Sequence, residues 1–372
     1  MRRVYTLVLI VFICTSTLST SNANDQKINA NAQKILFGSC SNQDKTMPIL
    51  DAINKENADL FIFLGDNVYG DTKNMQILAE KYQRLGNISA IKTLRENTPT
   101  IAIWDDHDFG ENDAGKDYLH KEASRKIMLN FWKTPKDSPR YSQPNGIYTA
   151  YMYGEAQQKV HVIMPDLRWN RDKLVTVGKI NYLSERKPKN MGPYSPNLTS
   201  GASMLGEVQW QWLEQELQKP SAIKIIASSL QLLPEFTGWE SWANFPADRQ
   251  RLFSLIKKHH VNGVLIISGD THWGEVSKVS NAVNYPLWEV TSSGLTEEWK
   301  DVSPNKHRIG KFINHVNYGE LLIDWQQKDP KITLSLKDVS GKVFNQHTIS
   351  LSGISPYKVK TAVEINKNDL VL

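Results

Sequence analysis

Apolar residues along this chain fall into short runs that end in polar clusters. The clearest, Leu60-Phe61-Ile62-Phe63-Leu64, passes directly into Gly65-Asp66-Asn67-Val68-Tyr69-Gly70-Asp71. Five consecutive apolar residues of β-preferring type are too few for a helix and fit a strand buried on both faces. Lys34-Ile35-Leu36-Phe37 likewise ends in Gly38-Ser39-Cys40-Ser41, and Thr100-Ile101-Ala102-Ile103-Trp104 ends in Asp105-Asp106-His107-Asp108. Gly263-Val264-Leu265-Ile266-Ile267-Ser268 runs into Gly269-Asp270-Thr271-His272-Trp273. Near Met47 to Glu56, Ile49, Leu50 and Ile53 recur at helical spacing, and further helices are expected near Asn74 to Leu85, Ser89 to Glu96 and Tyr118 to Phe131. This alternation predicts a largely parallel sheet layered by helices, with ligands in the crevice at the carboxyl ends of the strands.

Farther along, Val160 to Met164 reads as a strand that ends in Pro165-Asp166-Leu167-Arg168. From Trp169 to Ser203 no period holds, and a segment that long is expected to be functional or mobile, here a substrate gate. Helices near Gly206 to Gln218 and Ala247 to His259 flank a strand at Ile223 to Ser228. Leu287 to Thr291, Gly319 to Asp324, Ile332 to Leu336 and His347 to Leu351 alternate as antiparallel strands, which are expected to close a second sheet. No repeat, low-complexity tract or linker divides the chain. Residues 34–352 are therefore expected to form one domain and residues 353–372 a C-terminal surface tail.

The first 23 residues have a different character. Met1-Arg2-Arg3, the apolar stretch Val4 to Leu18 and the small-residue exit Ser21-Asn22-Ala23 predict a signal peptide over residues 1–23. Export follows, to the periplasm, the cell surface or the medium; the apolar stretch is short for a span, so no stable membrane anchor is expected. Cleavage removes Arg2 and Arg3 and lowers the net charge from +5 to +3 (5 − 2 = 3). So small an excess, with no clustered basic face, gives no nucleic-acid-binding patch. It also removes Cys14, one of the two cysteines, so no intramolecular disulfide can form. The remaining Cys40 is then a buried small hydrophobe, a nucleophile or a metal ligand, and its place at a strand exit favours the ligand.

A single Asp after a strand is usually a cap or turn residue. Four strand ends that together carry Cys40, Asp66, Tyr69, Asp105, Asp106, His107, Asp270 and His272 are not explained that way. A thiolate, a phenol, an imidazole and carboxylates suit an oxidised iron or a zinc, and aspartates without a soft ligand suit Ca²⁺, Mg²⁺ or Mn²⁺. Two metals that share one carboxylate clamp a phosphoryl group across about 3.5–4 Å, and Asp66 is the natural bridge.

Gly65-Asp66-Asn67-Val68-Tyr69, Trp104-Asp105-Asp106-His107-Asp108 and Ser268-Gly269-Asp270-Thr271-His272 resemble the metallophosphoesterase superfamily. With Gly38-Ser39-Cys40, Asp166-Leu167-Arg168 and Ser292-Ser293-Gly294-Leu295 they are similar to its alkaline phosphatase D (PhoD-like) branch, over about Lys34 to Trp325. The resemblance implies an α/β fold, a two-sheet sandwich flanked by helices in a four-layer αββα arrangement, with Fe³⁺ and one or more Ca²⁺ ions. Zn²⁺, Mn²⁺ or Mg²⁺ are the alternatives. Carried over by position, Cys40, Asp66, Tyr69 and His272 would hold iron. Asp66, Asp270 and one of Asp105 and Asp106 would hold the second metal. Asp106 is preferred because it matches the asparagine of the superfamily's Gly-Asn-His-Glu run, which sets His107 beside the leaving group.

Arg168 is expected to grip phosphate oxygens or to pair with Asp166 or Asp172, and Asn67 to donate to phosphate or cap its loop. Trp239, Trp242, Trp273, Trp288 and Trp299 either line the cleft or, for the most part, belong to the core. Some relatives carry an N-terminal β-sandwich domain, for which the stretch before Cys40 is too short. The implied protein is a monomeric, exported phosphoesterase acting on small phosphate monoesters or diesters by attack of metal-bound hydroxide, without a covalent intermediate. Two other readings are a hydrolase with Cys40 as nucleophile and His107 or His272 as base, and a non-catalytic metal-binding surface protein.

Overall fold

The computed structural model describes residues 31–357. The expected signal peptide at 1–23 and the last fifteen residues of the expected tail lie outside the described residues. The strands are β1 (Lys34–Gly38), β2 (Leu60–Leu64), β3 (Thr100–Ile103), β4 (Thr149–Tyr153), β5 (Val160–Met164), β6 (Val175–Thr176), β7 (Tyr194–Ser195), β8 (Ile223–Ala227) and β9 (Val264–Ser268). They continue with β10 (Gly274–Val279), β11 (Leu287–Ser292), β12 (Arg308–Ile313), β13 (Asn317–Asp324), β14 (Lys331–Asp338) and β15 (Val343–Ser350).

Two large mixed sheets result, ordered β15-β14-β13-β1-β2-β3 and β12-β10-β11-β9-β8-β5-β4. Within them β1, β2 and β3 run parallel, as do β5, β8, β9 and β11, so both sheets present carboxyl strand ends. Every residue of β2, β5, β8 and β9 is buried, including His161 and Lys224, which interrupt the apolar runs of β5 and β8. Helices Ile49–Lys55, Met75–Asn87, Ser89–Asn97 and Lys121–Phe131 flank the first sheet, and Glu207–Gln218 and Pro246–Lys258 the second. One hydrophobic cluster runs through both sheets and their helices.

The C-terminal strands depart from expectation. β13 pairs antiparallel with β1, Lys34 opposite Leu322 and Phe37 opposite Gly319, so β13, β14 and β15 extend the N-terminal sheet, and of the four expected strands β11 alone joins the other, beside β10 and the equally unexpected β12. Alternation reveals which face of a strand is buried and is silent about its neighbour. β10 escaped notice because Glu275 and Ser277 are buried alongside its apolar residues, satisfied by Arg308 and Asn305. The tail also begins later than expected: Ile354 is buried and accepts a hydrogen bond from Gly263, and Tyr357 exchanges two with Asn262. The segment from Trp169 to Ser203 carries the β6–β7 ribbon and is tied down, with Gly192 N–H donating to Thr237 O and Tyr194 N–H to Gly238 O.

Candidate metal centre

Four strand exits converge. Cys40 N–H donates to Gly65 O (3.4 Å) and Ser41 N–H to Asp66 O (2.9 Å), which joins the β1 and β2 exits. The β9 exit is stitched to both sheets: Asp270 N–H donates to Ser39 Oγ (3.3 Å) and His272 N–H to Ser293 Oγ (2.8 Å). Cys40, Asp66, Asp270 and His272 all have positive φ, between 48° and 72°. Left-handed backbone at a non-glycine residue costs about 1–3 kcal/mol and persists where surrounding structure enforces it, typically at functional sites. Gly65, at φ 97°, has no such latitude for a side chain, since a Cβ there would lie 2.5 Å from the Asp105 Cβ.

In one half of the centre the ligand atoms of Cys40, Asp66 and His272 lie within 4.8 Å of one another. Tyr69 Oη joins them, 3.1 Å from His272 Nε2. Burial pushes the Cys40 thiol up to about 12 and also raises Asp66 and Tyr69, with the nearby anionic partners adding to both. Burial lowers His272 to about 4, so its imidazole is neutral and ready to coordinate.

The other half is carboxylate. Asp105, Asp106 and Asp270 form one group, Asp66, Asp106 and His107 a second, and Asp106, Asp113 and Glu240 a third. Asp105 Oδ1 accepts from Arg168 Nε (2.5 Å) and Ser229 Oγ (2.7 Å), while its Oδ2 is buried without a partner. Asp106 Oδ2 accepts from Asp113 N–H (2.6 Å), while its Oδ1 is likewise buried and unpartnered. Each member of the pair therefore keeps one oxygen free, and Asp106 takes part in three groups.

His107 lines the cleft with its ring 4.2 Å from that of Tyr69. Its Nδ1 hydrogen-bonds Asp71 at 2.7 Å, which leaves Nε2 for a ligand. Burial disfavours the imidazolium, yet the carboxylates of Asp66, Asp71 and Asp106 prevail and raise it to about 11.

The two side chains expected to contact phosphate are both anchored by the protein. Arg168 is fully buried, its Nε donating to Asp105 and its Nη1 to Glu240 Oε2 (2.7 Å), while Nη2, 3.5 Å from Asp106 Oδ1, has no hydrogen-bond partner; it pairs with neither Asp166 nor Asp172 through its side chain. Asn67 is also buried, its amide donating to Ile103 O (2.9 Å) and to Asp108, so it braces the loop. Asp71, Asp113, Tyr194 and Glu240 went unnoticed in the sequence. Asp71 closes the same polar cluster as Asp66, which is a usable signal, but the others follow no apolar run. Of the five tryptophans singled out, Trp239, Trp273 and Trp299 line the cleft and Trp242 is core.

A family model described as PhoD-like phosphatase matches residues 35–329. The chain belongs to that family. Alkaline phosphatase D of Bacillus subtilis (strain 168) is 24% identical over 260 residues, 59% of this chain and 42% of the relative, so the match spans under half of that protein. Among solved structures, one titled "Structure of PhoD" aligns with a TM-score of 0.61 at 17% identity, covering 87% of this chain and 69% of that one. GAP50, described as the anchor in the inner membrane complex of Plasmodium, aligns at 0.53 and 15%, covering 90% and 92%. A dimetal phosphatase from Danio rerio aligns at 0.50 and 12%, covering 87% and 100%. These likenesses show the two-sheet fold.

The family's dependence on metal fits the residues present. Unpartnered buried oxygens on Asp105 and Asp106, and a thiol and a phenol raised by burial, are what a cation would relieve, since a bound ion inverts the local preference for protonation.

Proposed function

We propose that this chain is an exported, metal-dependent phosphoesterase that hydrolyses phosphate monoesters or diesters in one displacement. The observation that carries the reading is the junction at Asp66 and Asp106, where a sulfur- and phenol-bearing half meets an all-carboxylate half. Cys40, Asp66, Tyr69 and His272 would hold Fe³⁺, and Asp66, Asp106 and Asp270, with Asp105 beside them, would hold Ca²⁺. Bound there, such ions supply Lewis acidity and make water nucleophilic near neutral pH. The protein's own groups do the rest. Asp71 holds Nδ1 of His107 and favours its protonated form, so that Nε2 delivers a proton to the departing oxygen. Arg168 acts as a positioning residue that fixes Asp105 and Glu240.

The cysteine-nucleophile reading lacks a base. The Cys40 sulfur neighbours Ser39, Ser293 and Asp66, its thiol is raised to about 12, and the imidazole that shares its cluster is depressed to about 4. Export rests on residues 1–23; among the described residues no helix is long and apolar enough to cross a membrane. We take the active form to be a monomer. The test compares hydrolysis of a chromogenic monoester and diester with Ca²⁺ present, before and after chelation. Activity on either that chelation abolishes supports the proposal, and turnover that survives full metal removal defeats it.

A further inference from the structure

The cleft has two chemically distinct sides. Asp66, Asp106, His107 and Asp270 supply one, and Tyr194, Trp239 and Trp299 the other, around a cavity of about 160 Å³ that opens to solvent.

The aromatic side is built from separate parts of the chain. Gly192 and Gly238 meet backbone to backbone, where a Cβ on Gly192 would lie 2.2 Å from Gly238 O and 2.6 Å from the Trp239 ring. With Tyr194 N–H donating to Gly238 O (2.9 Å), that contact sets Tyr194 next to Trp239. The Tyr194 hydroxyl is locked onto Asp113. Trp299 N–H donates to His272 O (3.0 Å), which holds this indole next to the metal-centre histidine, ring centres 6.4 Å apart. Trp239 and Trp299 touch edge to face at 5.5 Å, forming one continuous wall. Of the eleven tryptophans, Trp299 alone is exposed, at 39%, the others being buried or half-buried. An indole held by its backbone beside the reaction centre and left open to solvent is a stacking surface without its partner.

We infer that the site selects phosphate esters that carry a planar aromatic group, aryl or nucleobase, which stacks on Trp299 while the phosphoryl group faces His107 and the carboxylates. The inference rests on the phosphoesterase reading and adds the substrate class. Its test is calorimetric binding to the metal-loaded full chain, using methylphosphonate, phenylphosphonate and a nucleoside 5′-phosphonate, none of which is hydrolysed. At least one aromatic phosphonate is expected to bind roughly fivefold to a hundredfold tighter than methylphosphonate, the range of base–aromatic stacking. That preference should collapse towards unity in Trp299→Ala and return in part in Trp299→Phe; a stronger gain for the nucleoside than for phenyl identifies the base as the stacking group. Equal affinity for all three, or a preference that survives Trp299→Ala, overturns the inference while leaving ester hydrolysis intact. Absence of both phosphonate binding and ester hydrolysis overturns the phosphoesterase reading, and the inference with it.

Discussion

His107 and Cys40 show how environment assigns a side chain its work. His107 keeps its proton because three carboxylates surround it, one of which, Asp71, binds Nδ1 directly. Replacing His107 with Ala is expected to lower turnover about 10²–10⁴-fold at unchanged metal content, as loss of a general acid does. Asp71→Asn removes a group that raises the imidazole, so its pKa falls and the basic limb of the pH–rate profile moves to lower pH; a limb that stays in place would exclude the pair from proton delivery. Cys40 and Tyr69 differ in kind, being anionic donors only when deprotonated. A trivalent iron held by both should give a visible charge-transfer band that Cys40→Ser and Tyr69→Phe each shift or bleach along with activity. Colourless, iron-free, fully active protein would reassign that half of the centre to zinc or to hard divalent ions.

The decisive element is the tight turn at the end of a buried parallel strand. Each turn carries polar residues over the crevice, and Cys40, Asp66, Asp270 and His272 do so in left-handed backbone. Gly65 makes the β2 turn possible, because its φ of 97° and the 2.5 Å approach to the Asp105 Cβ leave no room for a methyl group. Gly65→Ala is expected to destabilise the protein by about 1–3 kcal/mol and to cut activity further, because relief of the clash moves Asp66 and Asp105 apart. Urea unfolding reads the first effect and metal content the second; a variant with wild-type values of both would show that the turn is not under constraint.

Across the whole molecule, two sheets bring carboxylates together that no single element would tolerate. Burial raises Asp105 to about 6, Asp108 and Glu289 to about 7 and Asp113 to about 8, and it also raises Asp66 and Asp270. A carboxyl whose folded pKa exceeds its unfolded value near 4 binds protons more tightly when folded, so falling pH favours the fold across that window. The depressed His272, His307 and His347 act in the opposite sense, three groups against six. Protein stripped of metal is therefore expected to melt at higher temperature at pH 5 than at pH 7, and added cations should raise the pH 7 value most. Calorimetry in chelator at the two pH values measures this; a melting temperature that falls on acidification would mean that burial does not raise these carboxyls in the folded protein.

The parallel strands β1, β2, β3 and β9, and the residues at their exits, were legible in the sequence, because a buried parallel strand is an apolar run and its turn is local, whereas β4, β10 and β12 were not. Cys40, Asp66, Tyr69, Asp270 and His272 were found that way. Partnership was not legible. Arg168 lies 63 and 72 residues from the carboxylates that hold its Nε and Nη1, and a guanidinium pairs with whatever acid the fold brings nearest. The same reason hid Glu240 and Asp113, and it misplaced β13, β14 and β15, whose alternation fixes a buried face and leaves the neighbouring strand open. The aromatic wall too belongs to tertiary structure, since the Gly192–Gly238 contact brings Tyr194 to Trp239 and the bond from Trp299 N–H to His272 O brings in Trp299.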